Sequence, residues 1–214
     1  MKVLVACECS QKITIAFRRR NIEAWSCDIQ DCYGGHPEWH IKDDCLNWIN
    51  RGFDLVVAHP PCTYLSKVQG CLIFDKGGVV RDKARYSAGL IARDFFFKCL
   101  NCSAPFVCVE NPRPLGVWRL PPPSCVVQPY EFGHPYSKAT LLWLKGLPPL
   151  MPTDLFDEAV CRQWVRCVPG FSKNTKYKQF RLRSETFQGI ADAIAKQYGD
   201  FVLSRLCPAL YFQP

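Results

Sequence analysis

A thiol at the end of a buried strand is the first feature of this sequence that could do chemistry. Residues 54–62 read Asp-Leu-Val-Val-Ala-His-Pro-Pro-Cys, and the four apolar residues predict a strand buried on both faces. The Pro-Pro pair cannot continue a strand, so Cys62 falls just past its carboxyl end, the edge at which open α/β sheets bind ligands. We therefore predict a functional thiol; a small buried apolar residue is the alternative.

A carboxylate follows a second predicted strand in the same way. Residues 106–109 read Phe-Val-Cys-Val and lead into Glu110-Asn111-Pro112, where a proline again ends the apolar run. If the two strands are neighbours, Cys62 and Glu110 meet at one edge of the sheet. A thiol beside a carboxyl group is a candidate pair of nucleophile and general acid.

The elements that must position this pair predict an α/β fold with a mostly parallel sheet and helices on both faces. Apolar runs alternate with amphipathic segments along much of the chain, the pattern typical of such folds. Residues 67–83 lack clear periodicity, so we predict a loop or lid there, and His36 and His40 are interpreted as loop residues. The predicted strands are 2–6, 23–28, 41–44, 54–58, 106–109, 125–130 and 140–144; helices are predicted around 15–20, 45–50 and 85–100, and from 184 onward.

A second acidic residue stands where nucleotide-binding α/β units hold ribose hydroxyls. Asp28 ends the second predicted strand, about twenty positions after the first turn. The first turn itself reads Cys7-Glu8-Cys9-Ser10 and lacks the usual glycines. Their absence argues against a dinucleotide-binding fold, although a cofactor without a pyrophosphate would not need them.

The composition suits a single globular domain. The chain has 214 residues, of which 48% are hydrophobic and 21% charged, enough to bury a substantial core. No segment approaches the ~20 apolar residues of a membrane span. Residues 2–6 read as a strand rather than a signal peptide. We therefore expect a cytoplasmic protein with no membrane partner.

The fourteen cysteines are predicted to be free thiols, because no export signal accompanies them. The close pairs are Cys7 with Cys9 and Cys99 with Cys102. Cys99 falls at the end of a predicted helix rather than in the paired turns that a structural zinc site needs. We predict no metal.

The net charge of +8 favours a polyanionic partner such as nucleic acid. A solvated loop is the alternative interpretation of its densest part, a short basic segment that contains Lys173, Lys176, Lys178, Arg181 and Arg183.

Taken together, these motifs resemble those of the DNA cytosine-5 methyltransferases. Pro60-Pro61-Cys62 with Ser66 is similar to the nucleophile motif of that family, and Glu110-Asn111 after Val109 is similar to its Glu-Asn-Val motif. Residues 132–140 resemble a divergent form of the segment that carries Gln-x-Arg-x-Arg, with Lys138 at one of the arginine positions. The likeness is greatest to the short methyltransferase-like proteins of phage genomes.

The resemblance implies a Rossmann-like S-adenosylmethionine-dependent methyltransferase fold and the transfer of a methyl group to carbon 5 of cytosine. It makes Cys62 the covalent nucleophile and Glu110 the acid at ring nitrogen 3, for which we expect a pKa raised by burial. Lys138 is implied as a further catalytic contact. The implied cofactor-binding residues are Cys7, Glu8, Cys9, Ser10, Asp28 for the ribose, Asp44 for the adenine, and Pro60.

The resemblance also bears on partners. Residues 1–214 are predicted to form one methyltransferase-like domain, in which 146–183 is a reduced basic segment in place of a full target-recognition domain. The expected partner is cytosine-containing DNA, either single-stranded or recognised with low specificity, or targeted through a protein partner, in a bacterial or phage-infected cell. Two alternatives stay open: a catalytically inactive binding or regulatory protein with this fold, and an enzyme that modifies cytosine nucleotides.

Overall fold

The computed structural model describes residues 1–164 and 184–208. Within these residues the chain forms a seven-stranded sheet, a two-stranded sheet and α-helices joined by short 3-10 turns. The strands are β1 (Lys2–Ala6), β2 (Glu23–Asp28), β3 (His40–Lys42), β4 (Leu55–Ala58), β5 (Phe106–Asn111), β6 (Cys125–Val127), β7 (Tyr136–Ser137), β8 (Thr140–Lys145) and β9 (Arg162–Gln163). The α-helices are α1 (Lys12–Arg19), α2 (Gly70–Ile73), α3 (Lys83–Leu100) and α4 (Gln188–Leu206).

The large sheet has the strand order β3-β2-β1-β4-β5-β8-β6. The first five strands of this order run parallel, and β8 is antiparallel to both of its neighbours. Crossover connections therefore bring the carboxyl ends of β1, β2, β4 and β5 to one edge. The mostly parallel sheet predicted from the sequence is confirmed.

Helices cover both faces of this sheet, as predicted. Alternate residues of β1 point to opposite faces: Val3 and Val5 belong to the core under α1 and α4, and Leu4 and Ala6 to the core under α3. All four residues of β4 are buried, because both of its faces are covered. The strand that leads to Cys62 is thus held rigidly in the centre of the domain.

Two expectations for the chain's irregular parts are wrong. The loop predicted at 67–83 contains a 3-10 turn, Lys67–Gln69, followed at once by α2. The Ser66 hydroxyl accepts a hydrogen bond from the Val68 N–H and so starts this turn, which is too short to show a helical period. The strand predicted at 125–130 ends at Val127, because Pro129 lacks an N–H and begins a 3-10 turn, Pro129–Glu131.

Other boundaries differ by a few residues. His40, interpreted as a loop residue, begins β3, and the helix predicted at 45–50 is a 3-10 turn, Cys45–Asn47. The last helix begins at Gln188 rather than near Ser184. The two-residue strands β7 and β9 carry too few residues for an alternating pattern. The basic segment up to Arg183 lies outside the described residues.

None of the helices in the described part of the chain combines the length and apolarity that a membrane crossing requires.

Gly89 offers a test of how α3 packs. A Cβ atom at this position would overlap the indole ring of Trp118, which is 1% exposed and cannot move aside. In an exposed helix, Gly→Ala stabilises by about 1 kcal/mol. Here we expect Gly89→Ala to lower the free energy of unfolding by roughly 1–3 kcal/mol, as overpacking does. Denaturant-induced unfolding measures this change in the free energy of unfolding.

Gly116→Ala is the matched control, since a Cβ at that position meets open space. Its free energy of unfolding should stay within about 0.5 kcal/mol of the wild type. Equal stabilities for both variants would contradict the packing of α3 on Trp118.

Candidate active site

The candidate site lies where β4 and β5 end side by side. Ala58 is opposite Val109 in the parallel register, so the next residues, His59 and Glu110, are also neighbours. His59 Nδ1 lies 3.1 Å from Glu110 Oε2. The predicted adjacency of the two strands is confirmed. His59 was not predicted to be a site residue, although its position directly after the strand was a usable signal.

Cys62 begins a turn at this edge. The Cys62 carbonyl accepts hydrogen bonds from the N–H groups of Leu65 and Ser66, at 3.1 and 3.0 Å. Its half-buried thiol has a raised pKa, because burial and the negative charge of Glu110 disfavour the thiolate more than the positive charge of Lys138 favours it. Cys62, Glu110 and Lys138 are therefore within electrostatic range of one another.

A buried hydrogen bond holds the Pro-Pro segment in place. The Asn111 side-chain amide donates to the Pro60 carbonyl at 2.7 Å. Asn111 is 1% exposed, so this bond is shielded from water. The backbone just before Cys62 is thus tied to the end of β5. The contribution of Pro60 to the site is this backbone carbonyl, which accepts the hydrogen bond from Asn111.

The expectation of a raised pKa for Glu110 is wrong. Burial alone would raise the pKa, but the hydrogen bond and charge of His59, together with the charge of Lys138, lower it overall. For His59, burial lowers the pKa, whereas the hydrogen bond and charge of Glu110 and the charge of Glu8 raise it more. The two shifts agree, because each charged side chain favours the ionised form of the other.

Lys138 reaches the site from the segment between β7 and β8. Its N–H donates to Gln128 Oε1 at 2.9 Å, and its ammonium group lies 5.8 Å from the centre of the Phe187 ring and 3.5 Å from the Glu185 carbonyl. Burial lowers the pKa of Lys138, against the raising effects of Glu110, Cys62 and Glu185. The charge of Lys138 acts on both His59 and Glu110.

The first loop, residues 7–11 between β1 and α1, is held in place by the Glu8 side chain. The buried Glu8 carboxylate accepts hydrogen bonds from the Ile13 N–H at 2.7 Å and from the N–H and hydroxyl of Thr14 at 3.3 and 2.7 Å. It therefore caps α1. Burial raises the pKa of Glu8 more than these bonds and the charge of His59 lower it. Cys9 and Ser10 are half-buried in the same turn.

The glycines missing from this loop are replaced by residues in the left-handed conformation. Cys7 has φ 60° and Gln11 has φ 58°, where glycine is normally favoured. The Gln11 amide donates to the His36 carbonyl at 2.8 Å and to Ser26 Oγ at 3.2 Å. These two bonds fix a conformation that the sequence alone did not predict.

The two acids assigned to the cofactor lie at the ends of β2 and β3. The half-buried Asp28 carboxylate accepts a hydrogen bond from the Gln30 N–H at 2.9 Å. The exposed Asp44 carboxylate accepts one from the Leu46 N–H at 3.0 Å and starts a 3-10 turn. Neighbouring Asp43 accepts from the indole N–H of Trp48 at 2.8 Å.

The thiols of Cys7, Cys45 and Cys99 lie close together in the described part of the chain. Cys7 Sγ lies 3.7 Å from Cys45 Sγ, and hydrogen bonds from the thiols of Cys7 and Cys99 lower the pKa of Cys45 to about 5. No group of three or more His, Cys, Asp or Glu residues that could hold a metal ion occurs in residues 1–164 and 184–208.

The strand order, with β8 antiparallel to both of its neighbours, defines the class: a Rossmann-like α/β fold with a mostly parallel sheet and helices on both faces. No protein-family model matches the chain, and no curated protein sequence matches it. The fold therefore stands on the topology of the sheet.

Solved structures resemble this chain at low identity. A protein described as a DNA modification methyltransferase encoded within an E. coli prophage aligns with TM-score 0.47 and 14% identity over 73% of this chain and 52% of its own length. The S. pombe Dnmt2 methyltransferase aligns with TM-score 0.42 and 12% identity over 70% of this chain and 51% of its own length. A mutant of Spodoptera frugiperda DNMT2 aligns with TM-score 0.40 and 12% identity over 80% of this chain and 60% of its own length.

The chain thus spans about half of the length of the first two of these proteins. Scores and identities at this level carry no argument about activity.

Glu8 provides a test of the closed first loop. We expect Glu8→Ala to lower the free energy of unfolding by about 1–3 kcal/mol, because the buried donors of Ile13 and Thr14 lose their acceptor. Thermal or denaturant unfolding measures the loss. The control is Glu38→Ala, whose side chain is 57% exposed, with an expected change within about 0.5 kcal/mol. Equal stabilities of the two variants would rule out the capping role.

Proposed function

We propose that this chain is an S-adenosylmethionine-dependent methyltransferase that acts on carbon 5 of cytosine in DNA through a covalent Cys62 adduct. One observation carries the proposal: a thiol and a carboxyl group follow two adjacent parallel strands at the same edge, within electrostatic range of each other and of Lys138. The likeness of their motifs to those of the cytosine-5 methyltransferases supports it.

The chemistry explains why both groups are needed. Carbon 5 of cytosine is a poor nucleophile, and attack of the Cys62 thiolate on carbon 6 converts the ring into an enamine that is nucleophilic at carbon 5. Glu110 donates a proton to ring nitrogen 3, which takes up the negative charge of this attack. Water accepts the thiol proton before the attack. After methylation, water also accepts the carbon 5 proton, the electrons of that C–H bond form the 5,6 double bond and expel the thiolate, and nitrogen 3 returns its proton to Glu110.

The charges around Cys62 decide when it reacts. Burial and the ionised Glu110 raise the thiol's pKa, so the resting thiol is protonated. Lys138 opposes both effects and favours the thiolate. A proton on Glu110 removes the negative charge that opposes ionisation of Cys62 and leaves burial as the effect that Lys138 must offset. Protonation of the acid therefore makes the nucleophile easier to ionise.

The adenosyl half of the cofactor fits the acids at the ends of β2 and β3. The half-buried Asp28 carboxylate suits ribose hydroxyls, and the exposed Asp44 suits an adenine amino group. The turn from Cys7 to Ser10 would border the cofactor through its backbone, because the Glu8 carboxylate is engaged with α1. When bound, S-adenosylmethionine supplies the electrophilic methyl group that carbon 5 accepts.

The net charge of the chain and the free-energy cost of base flipping support the substrate class. A net charge of +8 favours a polyanion. In a duplex the cytosine must leave the base stack, which costs a few kcal/mol, and a single strand avoids most of this cost. Single-stranded DNA, or DNA recognised with low specificity, is the substrate we propose, with targeting by a protein partner as the remaining option.

A second function has its own support. The N-terminus of α1 is already occupied by the Glu8 carboxylate, and the loop before it lacks glycine. A chain with this fold that has lost cofactor binding would act as a binding or regulatory protein. Cofactor affinity separates the two functions.

Adduct formation tests the nucleophile. With S-adenosylmethionine and a 5-fluorocytosine oligonucleotide, the wild type should form a complex that resists denaturation, because fluorine blocks release of the thiol. We expect Cys62→Ala to form none and Cys207→Ala, an exposed thiol outside the site, to form as much as the wild type. Denaturing electrophoresis and mass spectrometry detect the complex.

The same assay defines the substrate. Single-stranded DNA, duplex DNA and 5-fluoro-dCTP are compared, and a complex with the nucleotide alone would identify a nucleotide-modifying enzyme. An undiminished complex with Cys62→Ala would overturn the mechanism.

Cofactor binding tests the acid on β2. We expect calorimetry to detect S-adenosylmethionine binding to the wild type. Asp28→Ala should weaken it about tenfold or more, the value of a hydrogen bond to a charged group. Asp31→Ala removes an exposed acid that pairs with Lys42 and should bind normally. An absence of binding to the wild type would favour the inactive binding protein.

A further inference from the structure

We propose that His59 holds the proton that Glu110 passes to ring nitrogen 3 of cytosine, so that His59 is a positioning residue acting through Glu110. This inference rests on the proposed function and deepens it by naming the source of the proton. It concerns a side chain that the cytosine-5 methyltransferase motifs in this sequence do not include.

The first support is geometric. His59 and Glu110 follow paired residues of β4 and β5, and Nδ1 lies 3.1 Å from Oε2, within hydrogen-bond range. The side chains are only 13% and 21% exposed. His59 Nε2 is buried and has no hydrogen-bond partner among the described residues. In the described part of the chain, the hydrogen bonding of the imidazole is therefore directed at Glu110 alone.

The second support is the set of charges around the pair. Glu110 and Glu8 favour the charged imidazole, whereas burial and Lys138 oppose it, and the net effect raises the pKa of His59. Glu110 faces His59 and Lys138, which lower its pKa against burial. Both shifts favour the proton on the imidazole rather than on the carboxyl group.

The transfer keeps atoms and charges in balance. The Nδ1–H bond breaks and an Oε2–H bond forms, which turns an imidazolium and a carboxylate into a neutral imidazole and a neutral carboxyl group. Rotation about the Cγ–Cδ bond of Glu110 turns the new hydroxyl towards the base. When the thiolate attacks carbon 6, this proton moves to ring nitrogen 3, and it returns by the same path when the thiol is eliminated.

The inference gives a defined pH dependence. The pair holds its proton below the pKa of folded His59, which lies above the ordinary value, and loses it as the pH rises through that pKa. Without His59, Glu110 must take its proton from water and keeps it only below its own pKa. The alkaline limb of the reaction should therefore move to lower pH when His59 is replaced.

A titration of the free protein tests the proton's resting place without any reaction. The chain has four histidines, so each ring C–H signal can be assigned and followed by NMR from pH 5 to 9. We expect His59 to titrate above the ordinary histidine range in the wild type. It should titrate below that range in Glu110→Gln, where burial remains and the partner charge is gone. A His59 pKa that is ordinary, or equal in both proteins, would overturn the inference.

The pH profile of adduct formation on 5-fluorocytosine DNA tests the consequence. We expect His59→Gln to react at least tenfold more slowly at pH 8, with its alkaline limb shifted down by about one unit or more. His36→Gln, an exposed histidine paired with Glu38, should keep the wild-type profile. A uniform loss of rate without a shift would assign His59 a structural role and overturn the inference.

The two proposals fail separately. A wild type that forms no adduct at any pH overturns the proposed function, whereas the NMR titration still reports where the proton rests. A wild type that reacts, with an unshifted profile in His59→Gln, overturns the role of His59 alone.

Discussion

The contact between His59 and Glu110 is the interaction on which the rest of the site depends. Two ionisable side chains are held in a poorly hydrated edge of the sheet, and each is tolerated there because the other compensates its charge. The charges of Glu8 and Lys138 act on the same pair from the first loop and from the segment before β8. Two acids and two bases therefore converge on one edge, and the positions of four separate segments are coupled through electrostatics.

This arrangement also constrains the thiol. Burial and the negative charge of Glu110 both disfavour the thiolate of Cys62. A buried thiol that stays protonated is protected from oxidation and from unproductive reactions, because the thiolate is the reactive form. In the proposed mechanism, protonation of Glu110 removes one of these two effects and so favours the thiolate.

The sequence predicted the parts of the fold that local patterns determine. The strands β1, β2, β4 and β5 are largely apolar runs ended by a polar turn or by proline. Their positions, the adjacency of β4 and β5 and the helices on both faces were predicted, whereas the strand order of the whole sheet was not. The 3-10 turns and the two-residue strands β7 and β9 could not be predicted, because single hydrogen bonds define them and no periodicity accompanies so few residues.

The site was predictable in its residue types and less so in its charges. Cys62 and Glu110 were found from their positions at strand ends that are marked by proline. His59 contacts an acid 51 positions away, and only the register of β4 against β5 makes them neighbours. The pKa of Glu110 was misjudged because burial was considered without this partner. In the same way, the capping role of Glu8 depends on the path of the chain from β1 into α1.

The hydrogen bond from Asn111 to the Pro60 carbonyl has a consequence for how such a chain can evolve. It anchors the backbone before Cys62 to the neighbouring strand, and the turn in which the Cys62 carbonyl accepts from Leu65 and Ser66 anchors the backbone after it. Substitutions at exposed positions beyond this turn, such as Val68, can therefore accumulate without displacing the thiol. The surface beside the thiol is free to diversify while the anchored turn is inherited intact.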